Sequence, residues 1–263
     1  MNLFKELSEF NLSNLEEIEI FDTNTNKESE SIDYLEKKID PKDILYDKTY
    51  KCPVCQSHFK SKALKSGKNK LLKSDTDLKG YYDLIDPNLY EVIHCSCGYT
   101  AISQSFNIIS PSQKKLIKEA ICKHFKCVPL NEYRTIEDAI KLYKLALLNT
   151  IKKNGKNGEK GLICLKLAWL YRDLEDNENE MIFLEHALNG LSKALETEYF
   201  PLFYLEENTT IYIVANICHR LGNDQGALKW LSYLIFNKDL STVLKQRVTD
   251  LKNEIKESKQ ANL

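Results

Sequence analysis

The spacing of apolar residues changes near residue 110. Upstream, short stretches rich in β-branched and aromatic residues, Thr49 to Lys51, Leu89 to Ile93 and Tyr99 to Phe106, predict strands in small hairpins. Downstream, apolar residues recur every three or four positions, the spacing of amphipathic helices. Ser110-Pro-Ser-Gln113 predicts a helix start, with a Ser cap, Pro in the first turn and Gln at the capping-box position, and Leu116, Ile117, Ala120 and Ile121 then form one stripe reaching residue 126. Thr135, with Asp138 three residues on, starts a second helix through Ile136, Ala139, Ile140, Tyr143 and Leu147, which the Gly- and Lys-rich loop around residues 154–158 ends. A final helix is predicted from Ser241 through Val243, Leu244, Val248, Leu251 and Ile255, with Lys and Glu on its outer face.

Between these helices the pattern repeats. Residues 167–174, LAWLYRDL, align with residues 214–221, VANICHRL, at an offset of 47 without a gap, and Phe183 and Leu184 then match Trp230 and Leu231. Each copy reads as helix, short turn, helix. Ala168 and Ala215 permit close helix approach, and Gly222 closes its helix as a left-handed cap. Pairs that cannot bury their faces alone stack on one another, so the region predicts a helical solenoid with the last helix as its cap. The copies resemble tetratricopeptide repeats, with the extra length expected around Leu195 to Asn208. The fold class expected is α+β, mainly α: a small zinc-ribbon-like β module followed by a tetratricopeptide-like solenoid.

Charge subdivides the chain further. The 37 Lys and Arg against 38 Asp and Glu leave a net charge of −1, which removes any whole-protein argument for a polyanionic partner. Yet residues 1–43 carry −7 and residues 44–134 carry +7. The expected organisation is an acidic, partly disordered segment at 1–43, in which Leu3, Phe4, Leu7 and Phe10 suggest one amphipathic turn, a ribbon module at 44–109, a linking helix at 110–134 and a repeat domain at 135–263. No apolar run reaches the roughly 18 residues of a membrane-spanning helix, and the first residues lack the pattern of a signal peptide. A cytoplasmic protein with no membrane partner is expected.

The eight cysteines are informative by spacing. Cys52-Pro-Val-Cys55 is a chelating turn, and Cys95-Ser-Cys97 is a second short pair followed by Gly98. Two such turns facing each other supply the four sulfur corners of a structural zinc site. The 39-residue interval is longer than that of a short ribbon motif, and the second pair lacks one residue. His94 with Cys97 would restore the two-residue spacing, so the fourth ligand is either Cys95 or His94, with Cys95 favoured. Cys122, His124 and Cys127 allow a second metal site but are explained as partly buried residues of the linking helix. Between the knuckles, Lys60, Lys62, Lys65, Lys68, Lys70 and Lys73 precede any acid. They suit either a solvated hairpin or a phosphate-contacting loop; the absence of stacking aromatics from Lys60 to Gly80 favours the first.

Taken together, Tyr46-Asp47-Lys48, Cys52-Pro-Val-Cys55, Asp75-x-Asp77, Asp86-Pro87, Cys95-Ser-Cys97-Gly98-Tyr99 and Leu167-Ala-Trp-Leu-Tyr-Arg172 resemble an uncharacterised family of clostridial and other Gram-positive bacterial proteins, known only as a domain of unknown function. The resemblance covers roughly residues 44 to 258. It implies the architecture, supplies no activity, and supports Cys95 because the family's second knuckle has the form Cys-Pro-x-Cys-Gly-Tyr.

The function expected is that of a zinc-binding, non-enzymatic adaptor that grips a protein or peptide on the concave face of its repeats. The first helix of each pair would line that face with Trp169 and Arg172 from one copy and Tyr212, Asn216, His219 and Arg220 from the next, since aromatic and Arg anchors dominate interfaces. Nucleic-acid binding through the ribbon and its Lys loop is the alternative. An enzyme ranks third: no Gly-rich cofactor loop or nucleophile elbow is present, and four thiolates around zinc leave no open coordination position.

Overall fold

The first half of the chain folds back on itself in three separate antiparallel hairpins, and the second half is helical. The computed structural model describes residue 9, residues 43–131 and residues 133–261. The expectations for the acidic segment fall almost wholly outside the described residues; Glu9 pairs with Lys141 at 2.9 Å. The hairpins are β1 (Leu45–Lys51) with β2 (His58–Leu64), β3 (Leu71–Ser74) with β4 (Gly80–Tyr82), and β5 (Val92–His94) with β6 (Thr100–Ile102). The strand expected from Leu89 begins only at Val92. Residues Asn88–Glu91 form a short helix, α1, whose Asn88 N–H donates to the Asp86 carboxylate. The Lys-rich interval is β2, a turn at Gly67 and β3, not a loop.

The helices are α2 (Pro111–Ile117), continued by a π-helical turn at Lys118–Cys122, then α3 (Ile136–Lys152), α4 (Asn157–Asp173), α5 (Asn177–Thr197), α6 (Glu207–Arg220), α7 (Asp224–Ile235) and α8 (Thr242–Ala261). Both predicted capping boxes form, at Ser110 with Gln113 and at Thr135 with Asp138. Helix α4 is the centre of the molecule: every residue from Gly161 to Tyr171 is buried, the burial expected of a helix apolar all round. It packs most closely on α5, where a Cβ at Gly161 would stand 2.7 Å from the backbone nitrogen of Leu191. On α8, Val248, Leu251 and Ile255 are buried as expected, whereas Val243 sits in the first turn and is exposed.

The two copies of the aligned motif fall on α4 and α6, and the turns after them agree bond for bond. Glu175 N–H donates to Arg172 C=O and Gly222 N–H to His219 C=O; Asp176 N–H donates to Tyr171 C=O and Asn223 N–H to Cys218 C=O. Glu175 (φ 57°) and Gly222 (φ 75°) are both left-handed. Asp176 and Asn223 then cap α5 and α7 by accepting from Asn179 N–H and Gly226 N–H.

One apolar core runs without interruption from Cys52, Val54, Val92 and Tyr99 in the hairpins through α2 and α3 to α4, α5 and Ile213 of α6. A second, smaller core joins α6, α7 and α8. Arg134 fastens the hairpins to the start of α3. Its guanidinium donates to the carbonyls of Leu89 and Val92, and its N–H donates to the Tyr90 hydroxyl.

Candidate metal centre

The first cysteine turn lies between β1 and β2 and the second between β5 and β6, so each knuckle is the tip of a hairpin. In the first, Cys52 N–H donates to Ser57 C=O and Gln56 N–H to Cys52 C=O, with Gln56 at φ 67°. In the second, Cys95 N–H donates to Tyr99 C=O and Gly98 N–H to Cys95 C=O, with Gly98 at φ 92°. The same turn is therefore closed with one residue fewer. Backbone N–H groups point at the sulfurs: those of Val54 and Cys55 at Cys52, that of Cys97 at Cys95 and that of Tyr99 at Cys97.

The sulfurs of Cys52, Cys55, Cys95 and Cys97 all lie within 4.8 Å of one another. Cys52 and Cys97 are 3.8 Å apart, and Cys55 and Cys95 are 3.6 Å apart. A tetrahedron with metal–sulfur bonds of about 2.3 Å has sulfur–sulfur edges of about 3.8 Å, so the side chains stand where one ion needs them. Cys52 and Cys95 are fully buried, Cys97 is partly buried and Cys55 is exposed. The Ser57 hydroxyl lies 2.9 Å from the Cys55 sulfur and 3.6 Å from that of Cys95. The thiols shift one another: hydrogen bonds from Cys52 and Cys97 hold Cys95 far below the ordinary thiol range, and the bond to Cys95 pushes Cys52 up to about 12. Protons are thus shared among crowded sulfurs, which a divalent cation would replace. The arrangement could hold a metal ion.

His94 lies beside this group. Its Nδ1 is 2.8 Å from the Thr100 hydroxyl and its ring meets Phe125 edge-on. Cys95, not His94, joins the other three thiols.

The six residues expected to line an open groove are placed differently. The turn between β3 and β4 is inserted against α4 and α6 and takes up their polar groups. Trp169 Nε1–H donates to Asp77 at 2.9 Å. The Arg172 guanidinium donates to Asp75 at 2.7 Å, to Asp77 at 2.6 Å and to Glu180 at 2.8 Å. Tyr212 donates its hydroxyl to Thr76 C=O, and Arg220 pairs with Glu180. Asn216 is buried in α6, and His219 binds Asp224 through Nδ1. The expectation that Arg172, Asn216 and His219 project into a groove is thereby corrected: the β3–β4 turn takes up Arg172, Asn216 is buried, and His219 is held by Asp224 just beyond its own helix. Asp77 is fully buried; burial opposes its charge, but the Arg172 guanidinium more than offsets this and holds the carboxyl below the usual carboxylate range.

Sequence reasoning noted Asp75 and Asp77 only as part of a motif, without a role, and missed Arg247, whose guanidinium donates to Asp75 C=O and the Ser74 hydroxyl. The available signal was that Asp75 and Asp77 are the first acids after six Lys between the knuckles. It also missed the open concavity of about 680 Å³ between the hairpins and the helices. Tyr46, Tyr50 and Tyr82 line it from the hairpins, Trp169 and Tyr204 from the helical side. Lys166 lies in its wall, donating to Asn88 at 2.7 Å and pairing with Glu91 at 3.2 Å; burial disfavours its charge, but Glu91 outweighs burial and keeps it protonated.

The chain belongs to the family described as an uncharacterized protein conserved in bacteria (DUF2225), which matches residues 45–261. No curated protein and no solved structure matches it. No helix among the described residues is long and apolar enough to cross a membrane.

Proposed function

We propose that this member of the family is a non-enzymatic adaptor with one structural zinc ion, and that it takes a protein or peptide segment in the cleft between the hairpins and the helices. The four thiols suit zinc, which accepts an all-sulfur tetrahedron and has no open position left for a reacting water once they bind. With the ion in place the two knuckles would be tied to each other, fixing β1 and β2 as one wall of the cleft. Helices α4 and α6, the first members of the two proposed tetratricopeptide-like pairs, supply the opposite wall.

The observation that carries the binding reading is the set of tyrosines around this cleft. Tyr46 and Tyr204 are each more than 40% exposed at its rim, and aromatic side chains with a polar tip are preferred anchors of interfaces. Part of the helical face first expected to bind is already occupied by Asp75 to Asp77, and the cleft is a concave surface that offers aromatic groups, Trp169 among them. Its charges, Lys48 and Lys166 against Asp86 and Glu91, balance, which suits a polypeptide better than a polyanion.

Affinity capture from the host with the intact chain, with and without nuclease, tests this. Tyr46→Ala combined with Tyr204→Ala should remove the captured protein while leaving metal content and thermal stability nearly unchanged. Capture that is lost on nuclease treatment and on neutralising Lys60 and Lys68 would support nucleic-acid binding in its place.

A further inference from the structure

The cleft between the hairpins and the helices offers hydrogen-bond donors, while its carboxylates are already engaged. Asp86 accepts from the backbone N–H and the side-chain amide of Asn88. Glu91 accepts from the Tyr143 hydroxyl at 3.0 Å and pairs with Lys166, whose ammonium also donates to Asn88. The hydroxyls of Tyr46, Tyr50 and Tyr82 line the same cleft and have no hydrogen-bond partner among the described residues. Two of these rings are held in place by packing. Tyr50 stacks on Phe59 at 5.9 Å and meets Phe106 edge-on at 6.0 Å, and the Tyr82 ring lies across Gly80, where a Cβ would stand 2.7 Å from its Cε2. The aromatic seats for a cation are taken from within: Lys166 lies 4.7 Å from the centre of the Trp169 ring, and Lys48 lies 5.4 Å from that of Tyr50.

On the reading of the cleft as the binding site, on which this inference rests, we propose that its occupant is a proline-rich segment of a partner protein in the polyproline II conformation. Proline has no N–H, and a polyproline II chain makes no internal hydrogen bonds, so such a segment presents carbonyl acceptors and almost no donors. That is the complement of three free hydroxyls beside two engaged carboxylates. An ordinary extended strand would bring backbone N–H groups to Asp86 and Glu91, which already have partners. A charged segment is not favoured either, because the lining charges balance and Lys166 is paired with Glu91. Flat aromatic rings with polar tips are the surfaces on which proline rings pack, and Tyr46, Tyr82 and Tyr204 supply them here. A stiff ligand also loses little conformational freedom on binding.

Calorimetric titration of the full chain with decaproline, and with a glycine–serine peptide of equal length, tests this. Decaproline should bind about tenfold or more tightly than the flexible peptide. Tyr50→Phe/Tyr82→Phe keeps both rings and deletes two hydroxyls, and should weaken decaproline about fivefold or more. Because neither hydroxyl has a partner within the fold, that variant should melt as the parent does. Tyr46→Ala/Tyr204→Ala should remove decaproline binding. Equal affinity for the two peptides, or decaproline binding that either double variant leaves unchanged, overturns the proposal. Host capture separates the two levels of failure. If Tyr46→Ala/Tyr204→Ala loses the captured protein while the parent shows no preference for decaproline, the cleft stands as the site and only its proline-rich occupant is overturned. If that variant keeps the captured protein, the cleft reading falls and this inference with it.

Discussion

Arg172 and Asp77 show how much of this molecule is decided by single residues. Asp77 is fully buried and receives both the Trp169 indole N–H and the Arg172 guanidinium. Removing one partner of such a pair leaves an uncompensated charge, at a cost of about 3–5 kcal/mol. Arg172→Ala should therefore lower the unfolding free energy from urea titration by that order, where an exposed groove residue would have left it unchanged. Because the Asp77 carboxyl titrates below its unfolded value of about 3.9, its contribution is present above that pH and is lost as pH falls through the lower folded value. His186 acts at milder acidity. Burial lowers it to about 4, so between pH 6.5 and 4 the unfolded chain takes up a proton that the folded chain does not. Stability should fall across that window, and His186→Gln should flatten the profile of thermal midpoint against pH. At the metal centre, Cys95→Ser should abolish stoichiometric metal by elemental analysis, and His94→Ala should retain it.

At the scale of elements, the contact between α4 and α5 depends on Gly161. Replacing it with Ala adds helix propensity of about 1 kcal/mol, but the new methyl meets the backbone nitrogen of Leu191 at 2.7 Å and cannot be relieved by rotating a side chain. Overpacking of this kind costs about 1–3 kcal/mol, so Gly161→Ala should lower the melting temperature despite its better propensity. The apolar spacing, both capping boxes and the helix turns after α4 and α6 were legible in the sequence, because each is closed by partners within a few residues. The β3–β4 hairpin was not. Its side-chain partners lie 92 to 173 positions further along the chain, where no local pattern records them.

At the scale of the whole molecule, the apolar core crosses the boundary between hairpins and helices. Residues 135–263 possess their own repeated motif and final helix, which suggests independent folding. In isolation, however, Arg172 and Trp169 would lose Asp77, and Asn149 of α3 would lose the Gly98 carbonyl it binds at 3.1 Å. The fragment 135–263 should therefore unfold at a clearly lower urea concentration than the same helices in the intact chain, followed by circular dichroism at 222 nm. An equal midpoint would mean that the hairpins lend the helices nothing.

The sequence by itself determined the two chelating turns, the mainly helical second half and the motif that recurs at an offset of 47, since each follows from spacing and from hydrogen bonds closed locally. It left open whether His94 or Cys95 joins the other thiols, because both lie near the knuckle and only the direction of their side chains in the folded hairpin separates them. It could name Trp169, Arg172 and Tyr212 as groups apt for recognition but could not say what they recognise. The tertiary structure decided that: burial demands a partner for every such donor, and the nearest acceptors in space belong to Asp75, Thr76 and Asp77 of the same chain.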